Sequence, residues 1–240
     1  MIFNGDIAWF VPPTSRYGLS KVSSKELTNS DFTFMCKIKV HWDKMTENSV
    51  TQEAGIMIKN GKHLGISLAK TGDNFRIIKG EAWTQTDNPE VDEINQIIIP
   101  VNDFKNSRDI SEEELNITFS CDVINKKMRL IVNTITHIID LKGELIDYIA
   151  SWLWVGCANP LDSCPPEHRH FFTGDIKFVA VCQKYLSTDE ITLVYNKMVK
   201  PEHKPIAVYD FIESTPYKVN DIAGNGNNLI KYDKTWMDNE

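Results

Sequence analysis

Apolar and polar side chains alternate along residues 32–42, FTFMCKIKVHW, and this alternation limits what the chain can fold into more than any other feature. The apolar residues on one face are Phe32, Phe34, Cys36, Ile38 and Val40. A period of two is the signature of a β-strand with one buried face. Further strand-like segments occupy residues 55–58, 64–69, 75–83, 94–101 and 115–141. The sequence therefore predicts an all-β fold.

Turn and cap signals separate these strands. Asn60-Gly61 is a strong hairpin signal, because both turn residues need positive φ. Helix is scarce, and the clearest helix start is a capping box formed by Ser187 and Glu190. We predict a sandwich of two antiparallel sheets with one short helix near residues 187–196.

Composition and charge exclude several classes of protein. A chain of 240 residues, 42% hydrophobic and 25% charged, has enough apolar mass for one large core, so we predict a single domain over residues 1–240. The net charge of −7 argues against a nucleic-acid partner. No apolar run is long enough for a membrane span, and no secretory signal is visible at the N-terminus. We expect the protein to be cytoplasmic or associated with a virion.

Motifs in a fixed order link the strand pattern to a known fold. The hairpin within residues 115–133 carries Phe119, Asp122, Leu130, Val132 and Asn133. Residues 172–176, FTGDI, then open a strand that leads to the capped helix. This order resembles laminin-G-like domains, which belong to the concanavalin A-like lectin and glucanase jelly rolls. The resemblance covers roughly residues 30–230 and implies a jelly-roll sandwich that binds a ligand, often a sugar.

The C-terminal residues 206–230 resemble the segment that normally opens a laminin-G-like domain. Their motif runs from Asp221 to Asn227, DIAGNGN, with Ala223 where the family usually carries Ser. Because the motif follows the closing strand, we predict that this tail folds back, as in a circular permutation, and supplies a strand to the same sandwich. The alternatives are a truncated second domain and a strand exchanged between chains. About 35 residues cannot bury a core alone, which favours the first interpretation.

Side chains at strand ends are the candidate ligand-binding residues. Pyranose rings present C–H faces and hydroxyl edges, which aromatic rings and planar polar groups recognise. We expect a glycan or cell-surface polysaccharide to bind at the rim or on the curved face of the sandwich, through some of Trp42, Trp83, Asn60, His63 and Asp87. For each aromatic residue, the alternative is that it seals an edge of the sandwich.

Calcium is the cofactor that the resemblance implies. Many members of the family bind one ion near the turn that corresponds to DIAGNGN and near the loop before F-x-G. The matching residues here are Asp221, Asn225 and Asp175, whose oxygens are hard ligands. The alternative is a turn held by side-chain hydrogen bonds alone.

Motifs for catalysis are missing from the sequence. Endoglucanases of this fold carry an E-x-D-x-x-E run, and the nearest match, EVDE at residues 90–93, lies in a polar loop. The signatures of the alginate-lyase relatives are missing too. We therefore predict a non-catalytic module, with a glycan-processing enzyme of the same fold as an alternative.

Two cysteines and two histidines lie close together in another loop. Cys157, Cys164, His168 and His170 are zinc-type ligands, but their spacing is not that of a common zinc finger. A plain surface loop, a metal site and a local disulfide all stay open.

Two functions besides sugar recognition fit the same features. The chain could decorate a virion through protein assembly, as a homo-oligomer or as part of a larger particle. It could also hold a glycan for a partner enzyme of polysaccharide synthesis. Binding to glycans, measured with and without calcium, separates recognition from assembly.

Overall fold

The computed structural model describes residues 1–4, 9–11, 30–42, 52–59, 64–71, 75–85, 92–101, 114–145, 153–158, 170–215 and 217–231. The strands within these ranges are β1 Ile2–Asn4, β2 Trp9–Val11, β3 Phe32–Val40, β4 Gln52–Lys59, β5 Leu64–Thr71, β6 Phe75–Gln85, β7 Asp92–Pro100, β8 Glu114–Asp122, β9 Lys127–Val132, β10 Ile135–Asp140, β11 Glu144–Leu145, β12 Leu153–Val155, β13 Cys157–Ala158, β14 His170–Phe171, β15 Thr173–Cys182, β16 Pro205–Asp210, β17 Lys218–Val219 and β18 Leu229–Lys231. Helix α1 spans Thr188–Tyr195, and 3-10 turns lie at Pro201–His203 and Phe211–Glu213.

The strands pair into two large antiparallel sheets. The seven-stranded sheet has the order β1-β15-β3-β8-β9-β10, with β16 also beside β15. The nine-stranded sheet has the order β11-β6-β5-β4-β12-β2-β18-β17, with β7 also beside β6. The predicted two-sheet sandwich with one short helix is confirmed. None of the helices in the described ranges has the length and apolarity that a membrane crossing requires.

The main core lies between the two sheets, where the alternation places their apolar side chains. Phe34 and Phe119 of the seven-stranded sheet and Ile66 and Ile78 of the nine-stranded sheet are fully buried there. Gly80 lets the sheets approach closely, because a Cβ atom at that position would lie 2.5 Å from Cδ2 of Phe119. The alternation therefore decides which face of each strand enters the core.

A second apolar cluster covers the outer face of the seven-stranded sheet. Ile191 and Val194 of α1 are buried against Met35 and Phe178. The capping box predicted for this helix is present, since Ser187 Oγ accepts from the Glu190 amide and Ser187 N–H donates to Glu190 Oε2. Strand β3 is consequently buried on both faces along most of its length.

The C-terminal residues contribute strands to both sheets. Strand β16 pairs with β15, with Tyr209 opposite Val179. Strand β18 pairs with β2, with Ile230 opposite Phe10, and also with β17. The segment therefore adds one strand, β16, to the seven-stranded sheet and two strands, β18 and β17, to one end of the nine-stranded sheet.

Candidate functional site

The outward-facing side chains of the nine-stranded sheet become more exposed toward β7. Ser67 of β5 and Trp154 of β12 are buried, the latter at 4% exposure. On β6 the side chain of Glu81 is 13% exposed. On β7 Ile94 and Ile98 reach 46% and 41% exposure. Around these strands, the accessible surface therefore lies on β6 and β7. We call it the β6–β7 face, formed by Lys79, Glu81, Trp83, Ile94, Gln96 and Ile98.

Strand alternation and register place these six residues on one face. Ile78 and Ala82 of β6 point into the core, so the residues between and beyond them point outward. Across the ladder to β7, Trp83 is opposite Ile94 and Glu81 is opposite Gln96. Directly opposite residues share a face of the sheet and lie close enough for their side chains to touch.

Glu81 is the centre of a hydrogen-bonded group on the β6–β7 face. Its Oε1 accepts from Trp83 Nε1 at 2.7 Å, and its Oε2 accepts from Gln96 Nε2 at 2.6 Å. The ammonium of Lys79 lies 4.0 Å from Oε2. A carboxylate has about four lone-pair positions, so about two remain to accept hydrogen bonds from a ligand.

The indole of Trp83 is partly exposed and fixed in orientation by its bond to Glu81. Ile94 lies across the ladder beside it and extends the apolar surface toward the edge of the sheet. A ring that is already held by a neighbour loses little conformational entropy on binding. An apolar platform beside a preorganised acceptor is an arrangement that can bind a sugar ring.

The prediction that Trp42 faces the rim is wrong. Trp42 is 0% exposed and belongs to the main core, with the Arg76 guanidinium 5.5 Å from the centre of its ring. A ring without exposed surface has no face to offer a ligand. Although Trp42 follows the end of β3, it serves the alternative role of sealing the sandwich.

The other predicted ligand residues lie outside the described residues. Asn60 and His63 belong to the connection between β4 and β5, whose ends pair as Lys59 with Leu64. Asp87 follows the last residue of β6 by two positions. Of the five predicted residues, Trp83 is the one that the structure places on the β6–β7 face. Its ligand-binding role, like that of the three others, stays a prediction.

The side chain of Asp221 is saturated by backbone donors. Its Oδ1 accepts from the amides of Val208 and Ala223, each at 3.0 Å. Its Oδ2 accepts from the amides of Asn225 and Asn227 at 3.1 and 3.2 Å. These four bonds occupy the lone-pair positions that a calcium ion would use. The geometry favours the alternative in which the turn is held by hydrogen bonds.

The third predicted metal ligand, Asp175, lies apart from the turn that holds Asp221 and Asn225. Asn225 donates its Nδ2 to the carbonyl oxygens of Pro205 and Ile206, which ties the turn to β16. Asp175 lies 3.5 Å from His41 Nε2, measured from its Oδ2. Asp175 is four residues from Val179, the β15 position closest to this turn, or about 13 Å by strand rise. Among the described residues no group of three or more acidic, histidine or cysteine side chains could hold a metal ion.

The Cys–His loop is described in part. Cys157 is buried on β13, which pairs with β14. His170 lies on β14, while Cys164 and His168 lie outside the described residues. Whether this loop binds a metal or forms a disulfide stays a prediction.

Sequence reasoning missed Glu81 and Gln96. Glu81 precedes Trp83 by two residues, so the alternation alone places both on one face of β6. Glu81 lies within β6 and not at a strand end, so it did not belong to the predicted set. Gln96 depends on the register between β6 and β7, which is set by pairing across the strands.

Comparison with known proteins supports the fold and no narrower family. No family model matches the chain, and no curated protein matches it. A Bacteroides ovatus protein described as a candidate carbohydrate-binding protein is similar in structure, with a TM-score of 0.57 and 12% identity over 97% of this chain and 59% of that one. The enzymatically active domain of bacteriophage CBA120 tailspike protein 2 gives a TM-score of 0.50 and 14% identity over 80% of this chain and 28% of that one.

These comparisons define the class of protein by its architecture. The chain spans less than two thirds of the length of either similar structure. At identities this low, the likeness concerns the fold alone. With the sheet order described above, the class is a two-sheet antiparallel β-sandwich.

Proposed function

We propose that this chain is a non-catalytic carbohydrate-binding or surface-attachment module whose ligand binds to the β6–β7 face. The observation that carries the proposal is the bond between Trp83 and Glu81 on a partly exposed sheet face, with Gln96 bonded to the same carboxylate. The likeness in fold to a candidate carbohydrate-binding protein agrees with it.

The chemistry of the face matches that of a sugar. A pyranose can place its C–H face against the Trp83 ring, which removes apolar surface of both partners from water. Its hydroxyl groups can then donate to Glu81, and Gln96 offers a further polar group beside it. Hydrogen bonds to a charged acceptor contribute about 1.5–3 kcal/mol each.

Removal of the Trp83 ring tests this proposal. We expect Trp83→Ala to weaken binding to any glycan that the chain recognises by about tenfold or more, because the stacking surface is lost. Trp83→Phe keeps a ring and should lose less. The measurement is a glycan array followed by calorimetric titration of the strongest glycan.

A matched control for Trp83→Ala is Tyr217→Ala. Tyr217 is 76% exposed and precedes β17, at the opposite end of the nine-stranded sheet from the β6–β7 face. We expect its removal to leave the affinity unchanged. Equal losses for the two variants, or no glycan bound by the unmodified chain, would contradict the proposal.

A second candidate function is protein assembly, as in decoration of a virion. The exposed isoleucines of β7, Ile94 and Ile98, favour it, because apolar side chains that share one exposed face often mark interaction surfaces. Sedimentation analysis of the unmodified chain and of Ile98→Asp tests it. A stable oligomer that Ile98→Asp dissociates, together with no glycan binding, would support assembly instead.

The narrower laminin-G-like relationship is also a proposal. Its motifs have local structural roles that support it. Asn133 Oδ1 accepts from the Asn116 amide, and Asp122 accepts from Asn125 in the turn between β8 and β9. Gly174 of the F-x-G motif is required sterically, since a Cβ atom there would lie 2.2 Å from the Lys39 carbonyl oxygen. An experimental structure with a bound glycan, or a family alignment anchored on these positions, would test the relationship.

A further inference from the structure

We propose that the β6–β7 face selects uncharged or amine-bearing sugars and discriminates against carboxylated and sulfated ones, with Glu81 as the residue that sets this preference. The inference rests on the proposed function, since it assigns a ligand class to the same site. It follows from where the charges of the face lie relative to the Trp83 ring.

Three residues of β6 define a charge gradient along the strand. Trp83, Glu81 and Lys79 follow one another at intervals of two residues and point to the same side. Strand rise places Glu81 about 7 Å from Trp83 and Lys79 about 13 Å from it, measured between backbone positions. A sugar on the Trp83 ring therefore meets the carboxylate first.

The described neighbouring positions on the two adjacent strands add no further positive charge beside the ring. The β7 residues opposite Trp83, Glu81 and Lys79 are the uncharged Ile94, Gln96 and Ile98, and the next pair along the ladder on this face is Gln85 with the acidic Asp92. On the other side of β6, the β5 residues opposite Glu81 and Lys79 are Gly65 and Ser67. The Lys79 ammonium, 4.0 Å from Glu81 Oε2, offsets part of this charge, but the carboxylate lies nearer to the ring because its Oε1 accepts from Trp83 Nε1 at 2.7 Å.

The carboxylate is also preorganised to accept and not to donate. It accepts hydrogen bonds from two neutral donors, Trp83 and Gln96, while the Lys79 ammonium lies 4.0 Å from its Oε2. Neutral sugars offer hydroxyl donors and amino sugars offer an ammonium, and both suit an ionised acceptor. A uronic acid or a sulfate offers only acceptors in the same place. At about 7 Å and the effective dielectric of a protein surface, the repulsion that remains after screening by physiological salt corresponds to a preference on the order of tenfold.

The test compares matched neutral and acidic probes. Oligomers of galactose and galacturonate, of glucose and glucuronate, and of mannose and mannuronate differ within each pair in charge. We expect the neutral member of a recognised pair to bind about tenfold or more tightly at physiological salt. We expect the ratio to grow when the ionic strength is lowered.

The variant Glu81→Gln isolates the charge. Its amide oxygen can still accept from Trp83, and the Gln96 amide can rotate to accept from the new NH₂ group, so the ring keeps its support. We expect the neutral-to-acidic ratio to fall below about threefold, mainly because acidic probes bind more tightly. Glu202→Gln is the matched control, since Glu202 lies on the 3-10 turn before β16 and its substitution changes the net charge equally. It should leave the ratio unchanged.

The possible outcomes separate this inference from the proposed function. Preference for the acidic probes, or a ratio that Glu81→Gln does not alter, would overturn the selectivity while sugar binding stands. A ratio that Glu202→Gln lowers as much would assign the preference to net charge and also overturn it. No binding to any probe would overturn the proposed function itself. Equal thermal unfolding midpoints of the variants would show that differences in folding do not cause the differences in binding.

Discussion

The two sheets carry the same alternation but treat their outer faces differently. On the seven-stranded sheet, Met35 and Phe178 point outward and are covered by Val194 of α1. On the nine-stranded sheet, the β6–β7 face presents Trp83 and Ile98 with at least part of their surface accessible. A period of two therefore places side chains on a face, but the packing of other elements decides whether that face is core or surface. The sealed face stabilises the fold, and the accessible face is the one to which we propose that a ligand binds.

We expect the largest difference in stability when the same charge is placed on each of the two outer faces. Val194→Asp would bury an unpaired carboxylate beneath the helix, so we expect the free energy of unfolding to fall by about 4 kcal/mol. Ile98→Asp places the same group on an exposed strand position, and we expect a loss below about 1 kcal/mol. Urea denaturation of both variants measures the difference. Similar losses would mean that the β6–β7 face is packed as the helix-covered face is.

The Asp221 turn covers the edge of the seven-stranded sheet. We expect its disruption to have the second-largest effect on the free energy of unfolding. Asp221→Asn replaces one acceptor oxygen by an NH₂ group that faces backbone amides, so we expect a loss of about 3 kcal/mol. The same loss should be measured in calcium and in a chelator, because four backbone amides already occupy the carboxylate oxygens of Asp221. A midpoint of unfolding that calcium raises in the unmodified chain and not in Asp221→Asn would support the predicted calcium site instead.

The strands and the helix could be predicted because their signals are local. Alternation along residues 32–42 and the capping box of Ser187 and Glu190 are each contained within one element. The burial of Trp42 could not be predicted in the same way, because it depends on Arg76 and on core residues that are distant in sequence. Position at a strand end does not determine the exposure of a large ring.

The residues of the candidate site also differ in whether local sequence predicts them. Glu81 follows from Trp83 by counting two residues along one strand, whereas Gln96 requires the register of β6 with β7. The role of Asp221 is harder still to predict, since one of its donors, the Val208 amide, lies thirteen residues upstream. Patterns within a strand predict faces, while partners across strands come from the folded chain.

The helix cap that holds the sealed face should show the smallest and most specific effect. A hydrogen bond from the Lys184 ammonium, supported by the backbone and side chain of Ser187, lowers the pKa of Glu190 from 4.5 to about 2. Because the folded pKa is the lower one, this carboxylate stabilises the fold above pH 4.5, and the contribution is lost as the pH falls toward 2. Solvent screening at this partly exposed group reduces the contribution to about 1 kcal/mol. We expect Glu190→Gln to lose that amount at pH 7 and to match the unmodified chain near pH 2, in urea titrations at both values. A difference that persists unchanged at low pH would show that the cap acts through shape and not through charge.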